Sequence, residues 1–115
     1  MLATSHAGSA HATPDRIINA FPPYYQNQIR VQLSNVLAGV VAQRLLPRLD
    51  GGLVPATEIM VTNQAIRNLI RENKASQIKT AIETGKGEGM MTFEQSISEL
   101  IDQKLISPEV IRTLT

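Results

Sequence analysis

The stretch Val40-Val41-Ala42-Gln43-Arg44-Leu45-Leu46-Pro47-Arg48-Leu49-Asp50-Gly51-Gly52-Leu53-Val54-Pro55-Ala56-Thr57-Glu58-Ile59-Met60-Val61 decides the architecture. Two runs carrying β-branched residues flank Asp50-Gly51-Gly52, a turn signal, and so predict a β-hairpin. Pro47 and Pro55 lack an N–H and belong at strand ends or on an edge strand.

Helical patterns lie on both sides of the hairpin. Upstream, Thr13-Pro14-Asp15 combines a hydroxyl cap, proline at the first helical position and an acid in the first turn. It predicts a helix to about Phe21, with Ile17, Ile18 and Phe21 inward, ended by Pro22-Pro23. A second helix, about Tyr24 to Gly39, places Ile29, Leu33, Val36, Leu37 and Val40 on one face. Met1 to Thr4 reads as the end of a strand whose neighbours lie elsewhere, because a lone short strand leaves its backbone unpaired.

Downstream, Thr62 or Asn63 can cap a helix from Gln64 to about Asn73. Lys74 to Thr84 forms another, with Ala75, Ile78 and Ile82 on one side and Gly85 in the left-handed terminal position. Lys86 to Met91 is a loop. Thr92 followed by Gln95 resembles a capping box. It opens a helix from Phe93 to Leu105 with Phe93, Ile97, Leu100, Ile101 and Leu105 on one stripe. Ser107-Pro108-Glu109 starts a short last helix. The fold class is therefore α+β, mainly helical.

Composition narrows the function. The 115 residues, 43% of them apolar, provide for one modest core. Eleven Lys+Arg against ten Asp+Glu give a net charge of +1, without the electrostatic footprint of a nucleic-acid binder. With no Cys there is no disulfide framework and no thiolate chemistry. No apolar run reaches the ~18 residues of a membrane span. The core must be aliphatic, since the aromatics are Phe21, Tyr24, Tyr25 and Phe93 alone.

Most chemical motifs fail on spacing. Gly85-Lys86-Gly87-Glu88-Gly89 lacks the G-x-x-x-x-G-K-[ST] order of a phosphate loop and follows a helix, so it reads as a connector. His6 and His11 are five apart, off any common helical face, with no third ligand at useful spacing. His6 stands just past a strand end, where open α/β sheets bind ligands; a surface or capping role is the alternative. Nothing fixes a Ser or an acid beside a His, so self-contained catalysis has no support.

Ala65-Ile66-Arg67-Asn68-Leu69-Ile70-Arg71-Glu72-Asn73 is the most informative stretch. On a helical wheel Ala65, Ile66, Leu69 and Ile70 share one side; Arg67, Arg71 and Lys74 share the other. That cationic stripe is either a solvated face or a contact surface for acids on a neighbouring domain or subunit.

This stretch resembles the AIRNLIRE motif of the PilT-type ATPases, motors of type IV pilus retraction and twitching motility. The resemblance covers essentially the whole chain. Leu2 to Ala10 is similar to the family's His box, with Ala7-Gly8 where the family often has Thr-Asn. Thr13 to Pro22 resembles the segment that follows it, Gly39 to Pro47 the "GVIAQxLL" strand, Glu58-Ile59-Met60 the "EIM" before the motif, and Gly89 to Gln95 the "GMQTLDQ". The His-box and "GVIAQ" elements are shared with related secretion ATPases; the nine-residue helix motif points to retraction.

The resemblance implies a hexameric, cytoplasmic ring ATPase, peripheral to the inner membrane at the pilus base, using ATP and Mg²⁺. Its partners would be the other subunits of the homohexamer and the inner-membrane platform proteins. The family's phosphate loop, acidic boxes and arginine fingers precede the His box, so this chain is expected to be a C-terminal portion that is inactive alone and needs no cofactor of its own. Residues 1 to 61 would be the end of the RecA-like P-loop ATPase core, and residues 62 to 115 a trailing helical domain. His6 would sense the terminal phosphate, and Ala65 to Asn73 would be the interaction motif, with Arg67 and Arg71 making its contacts. Two alternatives stand beside this: a fragment of a type II secretion or pilus-assembly ATPase, and a freestanding interaction module.

Overall fold

A computed structural model describes Leu2–Ser5 as backbone and residues 9 to 110 in full. The order of elements is β1 (Leu2–Ser5), α1 (Thr13–Asn19), α2 (Pro23–Val36), β2 (Gly39–Pro47), β3 (Leu53–Val61), α3 (Gln64–Arg71), α4 (Ile78–Glu83) and α5 (Phe93–Asp102), with 3₁₀ turns at Ala75–Gln77 and Lys86–Glu88.

The hairpin forms as its sequence predicts. β2 and β3 pair antiparallel from Gly39↔Val61 to Pro47↔Leu53. Gly51 and Gly52 take φ of 96° and 79° at the turn, in the left-handed region that favours glycine. Pro55 lies on β3, an edge of the three-stranded sheet, and Pro47 ends β2. β1 adds the third strand, parallel to β2, in the register Leu2↔Gly39 to Ser5↔Ala42. One of its expected distant neighbours is thus within this chain. Parallel pairing demands a long crossover, and α1 with α2 supplies it.

The helices pack on one face of the sheet. Val40, Ala42 and Met60 join Ile18, Leu33, Leu37, Ile66, Ile70, Ile78, Ile82 and Met90 in one buried cluster. Leu46, Val54 and Ala56 join Ile97 and Ile106 in a second, flanked by Phe93, Leu100, Ile101 and Leu105. Both clusters draw on residues from either side of position 61. On the other face of the hairpin Leu45 and Leu53 are 64% and 60% exposed.

Several local expectations are corrected. α2 ends at Val36, so Val40 belongs to β2, and Val36 points outward. Phe21, beyond the end of α1, is exposed, as are Tyr24 and Tyr25. Thr13 is the first residue of α1 rather than its cap, and its hydroxyl donates to the Ser9 carbonyl at 2.8 Å. α5 stops at Asp102, and Lys104 reverses the chain at φ 58°. Gly85 has φ −95° and is not left-handed. Space explains the residue instead: a Cβ there would lie 2.6 Å from the Met90 methyl. The left-handed position belongs to Gly89, φ 86°.

The Lys86 to Met91 segment is more than a connector. It carries a 3₁₀ turn, and Asn63 Nδ2 donates to Glu88 at 2.6 Å. Met91 and Ile59 exchange backbone hydrogen bonds of 3.0 and 2.8 Å. The Thr92–Gln95 capping box is complete: Gln95 N donates to the threonine hydroxyl at 3.1 Å, and Thr92 N donates to the glutamine side chain at 3.0 Å. After α5, Glu109 N and Val110 N turn back onto Ser107, and the continuation of that predicted helix lies outside the described residues. Among the described residues no helix is long and apolar enough to cross a membrane.

Candidate functional site

His6, the predicted phosphate sensor, lies outside the described residues. The loop that follows it is held in place from Ser9 onward. Ala10 is fully buried, and Ser9 is fixed through its carbonyl by Thr13. His11 then turns toward β3, where alternation sends Val54, Ala56, Glu58 and Met60 inward. Glu58 is therefore a carboxylate inside an apolar layer, 1% exposed.

A buried carboxylate is costly unless hydrogen-bonded. Glu58 Oε1 accepts from the His11 backbone N–H at 3.2 Å and lies 3.0 Å from His11 Nδ1. Its Oε2 accepts from the Phe93 backbone N–H at 3.2 Å, at the start of α5. The far side of the imidazole, Nε2, lies 3.3 Å from Ser9 Oγ.

Sequence reading found no acid beside a histidine, and it missed Glu58. The signal was available: an acid in the inward register of a strand, bracketed by Ala56 and Met60. Its partner is 47 positions away, and no local pattern shows which loop meets β3. The order Ser9, His11, Glu58 matches a nucleophile–base–carboxylate relay, which also needs N–H groups aimed at an oxyanion. Here the N–H groups of His11 and Phe93 both point at Glu58 instead. These contacts join the loop, β3 and the start of α5. Among the described residues no group of three or more His, Asp or Glu could hold a metal ion.

The predicted interaction helix is α3. Asn63 caps it by accepting from Ile66 N at 2.9 Å. Ile66 and Ile70 are buried and Leu69 is half-buried, whereas Ala65 faces solvent despite its place on the apolar side of the wheel. The cationic stripe divides. Arg67 is half-buried and its guanidinium donates to the backbone carbonyls of Ser34 and Thr62, tying the last turn of α2 to the entry of α3. Arg71 is exposed, as are Asn68 and Glu72. Lys74 lies 3.6 Å from Glu72. Asn73 closes the motif in the left-handed region, φ 59°.

A groove of about 410 Å³ runs along α5, lined by Lys86, Met90, Met91, Glu94, Gln95, Ser98, Glu99 and Asp102. Three carboxylates against one lysine make it a poor cradle for phosphates. Lys79 donates to Glu94 at 2.8 Å nearby. That hydrogen bond is the main cause that holds the carboxyl below its ordinary value and the amine above its own.

No protein-family profile matches the chain. Individual relatives do. The chain is 44% identical over 110 residues to a twitching motility protein of Neisseria gonorrhoeae, across 95% of this chain and 29% of that protein. It is 42% identical over 109 residues to the type IV pilus retraction ATPase PilT of Pseudomonas aeruginosa, across 95% of this chain and 32% of that one. A crystal structure of the pilus retraction motor PilT with bound ADP superposes with a TM-score of 0.76 at 42% identity, over 87% of this chain and 27% of that one.

This chain is a homologue of the PilT-type ATPases.

It spans 29% and 32% of the lengths of the two PilT-type relatives named above. The ATPase DotB of Legionella pneumophila, at 16% identity and a TM-score of 0.74, shares the fold with it over 95% of this chain and 30% of its own.

Proposed function

We propose that the chain is the C-terminal part of a PilT-type motor that retracts type IV pili. The intact motor hydrolyses ATP with Mg²⁺ as a cytoplasmic homohexamer, peripheral to the inner membrane, where platform proteins of the pilus base are its partners. Residues 1 to 61 end its RecA-like core, and residues 62 to 115 are its C-terminal helical domain. The observation that carries this reading is identity along nearly the whole chain with retraction ATPases. A secretion-ATPase fragment is the second reading; the relatives at 44% and 42% identity, a twitching motility protein and a pilus retraction ATPase, favour retraction.

The chain's own residues take these roles. His6, at the entry to the Ser9–His11 loop, reads the terminal phosphate of a nucleotide bound to the rest of the core. α3 presents the motif from Ala65 to Asn73, with Ile66 and Ile70 inside and Arg71 outward. Arg67 shapes the motif from within, and Arg71 is the cation left to meet an acid on a partner. The 115 residues carry no phosphate loop, and phosphoryl transfer depends on that cradle, the metal and arginines. The isolated chain therefore turns over no ATP.

A chimera tests the reading. Residues 1 to 115 replace the matching stretch of the P. aeruginosa PilT, and ATP turnover and twitching are measured. Turnover and twitching with the chimera, both lost with His6→Ala in it, are expected. A chimera that assembles and hydrolyses ATP but drives no twitching overturns the retraction reading. Magnesium-dependent turnover by the isolated chain above a His6→Ala control overturns the claim that it is inactive alone.

A further inference from the structure

We propose that Glu58 is a positioning residue that makes the His-box loop and the start of α5 move as one unit. The functional meaning of that coupling rests on the motor reading above; the coupling itself is a property of this chain.

The two carboxylate oxygens serve different elements. Oε1 faces His11, 3.2 Å from its backbone N and 3.0 Å from Nδ1. Oε2 faces the Phe93 N–H at 3.2 Å. The carboxylate is carried on β3, whose position is fixed by the Ala42↔Glu58 register with β2. With the side chain 1% exposed, its hydrogen bonds in the fold come from protein donors. Losing one donor leaves the charge poorly satisfied, which strengthens its hold on the other. Contacts on the two oxygens are thus linked through one charge.

The anchoring is unequal, and this gives the coupling a direction. α5 and the segment before it have further attachments to β3: Thr57 N donates to Ser96 Oγ at 3.0 Å, and Met91, two residues ahead of α5, pairs with Ile59. The loop is held at Ser9 by Thr13, a neighbour in sequence, and across the fold by the packing of Ala10 and by the polar contacts to Glu58. A displacement of Ser9–His11 is therefore passed to the start of α5 in part through this carboxylate.

Residue-resolved amide hydrogen exchange on the 115-residue chain tests this, with the Phe93 and His11 amides as reporters. His11→Ala removes the imidazole donor and leaves every backbone group of α5 in place. It is expected to slow Phe93 amide exchange by at least about tenfold, with interior α5 amides such as Ile97 unchanged. His11→Asn, whose side-chain amide can replace the Nδ1 donor, is expected to restore the Phe93 rate. Ser96→Ala, which removes the neighbouring Thr57 contact without touching Glu58, is expected to leave the His11 amide unchanged. A His11→Ala chain whose Phe93 exchange stays within about twofold of the parent, or becomes faster, overturns the proposal. Glu58→Gln should open both reporters, but the outcome does not depend on that variant folding, because His11 is a half-exposed loop residue. The readout uses neither nucleotide nor pili. Failure here leaves the motor reading standing, and a failed chimera leaves the Glu58 coupling standing.

Discussion

The Arg67 guanidinium donates to the backbone carbonyl of Ser34. Ser34 lies in the last turn of α2, where carbonyls have no partner within the helix. A second donation, to Thr62 at 3.2 Å, takes in the residue before the α3 cap. One side chain of α3 thereby fixes the angle at which α3 meets α2.

The two arginines of α3 should therefore separate in experiment. Arg67→Ala is expected to lower unfolding free energy by about 2 kcal/mol, since charge-assisted hydrogen bonds to buried acceptors are lost. Arg71→Ala is expected to stay within about 0.5 kcal/mol, as exposed surface substitutions do. Urea denaturation of both variants checks this; equal losses would contradict the latch at Arg67.

Gly85 should resist even alanine. Its absent Cβ leaves room for the Met90 methyl at 2.6 Å and the Ala81 carbonyl oxygen at 3.2 Å. Met90 is 1% exposed and has little room to swing away. Gly85→Ala is expected to cost about 1–3 kcal/mol through overpacking. The cost should shrink in a Met90→Ala background, which a double-mutant cycle of melting free energies reads directly.

The capping box at the start of α5 predicts a loss of about 1 kcal/mol for Thr92→Ala. Thr92 is 1% exposed, so solvent does not substitute for its hydroxyl. Thr92→Ser, which keeps the acceptor, should recover most of the loss in the same thermal melt.

The Lys79–Glu94 pair gives stability a defined pH dependence. Because the Glu94 carboxyl is held below its ordinary value by the hydrogen bond from Lys79, the contribution is present above 4.5 and is lost as pH falls through the lowered value. Because the Lys79 amine is raised by its bond to Glu94, the contribution is present below 10.5 and is lost as pH rises through the raised value. Both groups are largely solvated, so the effect is small and weakens with salt. Denaturant midpoints for Lys79→Met against the parent chain should differ between these limits and converge at acid pH.

Local chemistry was legible and long-range chemistry was not. Asp50-Gly51-Gly52 announced the hairpin because only glycine takes those two backbone angles readily. Asn63 and Thr92 announced helix starts because capping acts over three residues. Val40 was misplaced because an apolar residue at a helical period can equally open a strand once the helix has stopped. At Gly85 the local pattern suggests a backbone need, whereas the reason is the bulk of Met90. The brace at Glu58 joins residues 47 apart, and no local pattern encodes which loop a strand will meet. Arg67 looked like a member of a solvated stripe because a helical wheel shows neighbours on one helix, not the end of α2 beside it.

With the buried clusters of the described residues on one side of the sheet, Leu45 and Leu53 leave the hairpin's reverse side oily, and Leu49 near its tip is 63% exposed as well. A net charge of +1 offers almost no mutual repulsion between molecules. The colloidal behaviour of a purified sample is thus governed by this patch. Scattering mass should climb with concentration and should fall when Leu45 and Leu53 are both changed to lysine.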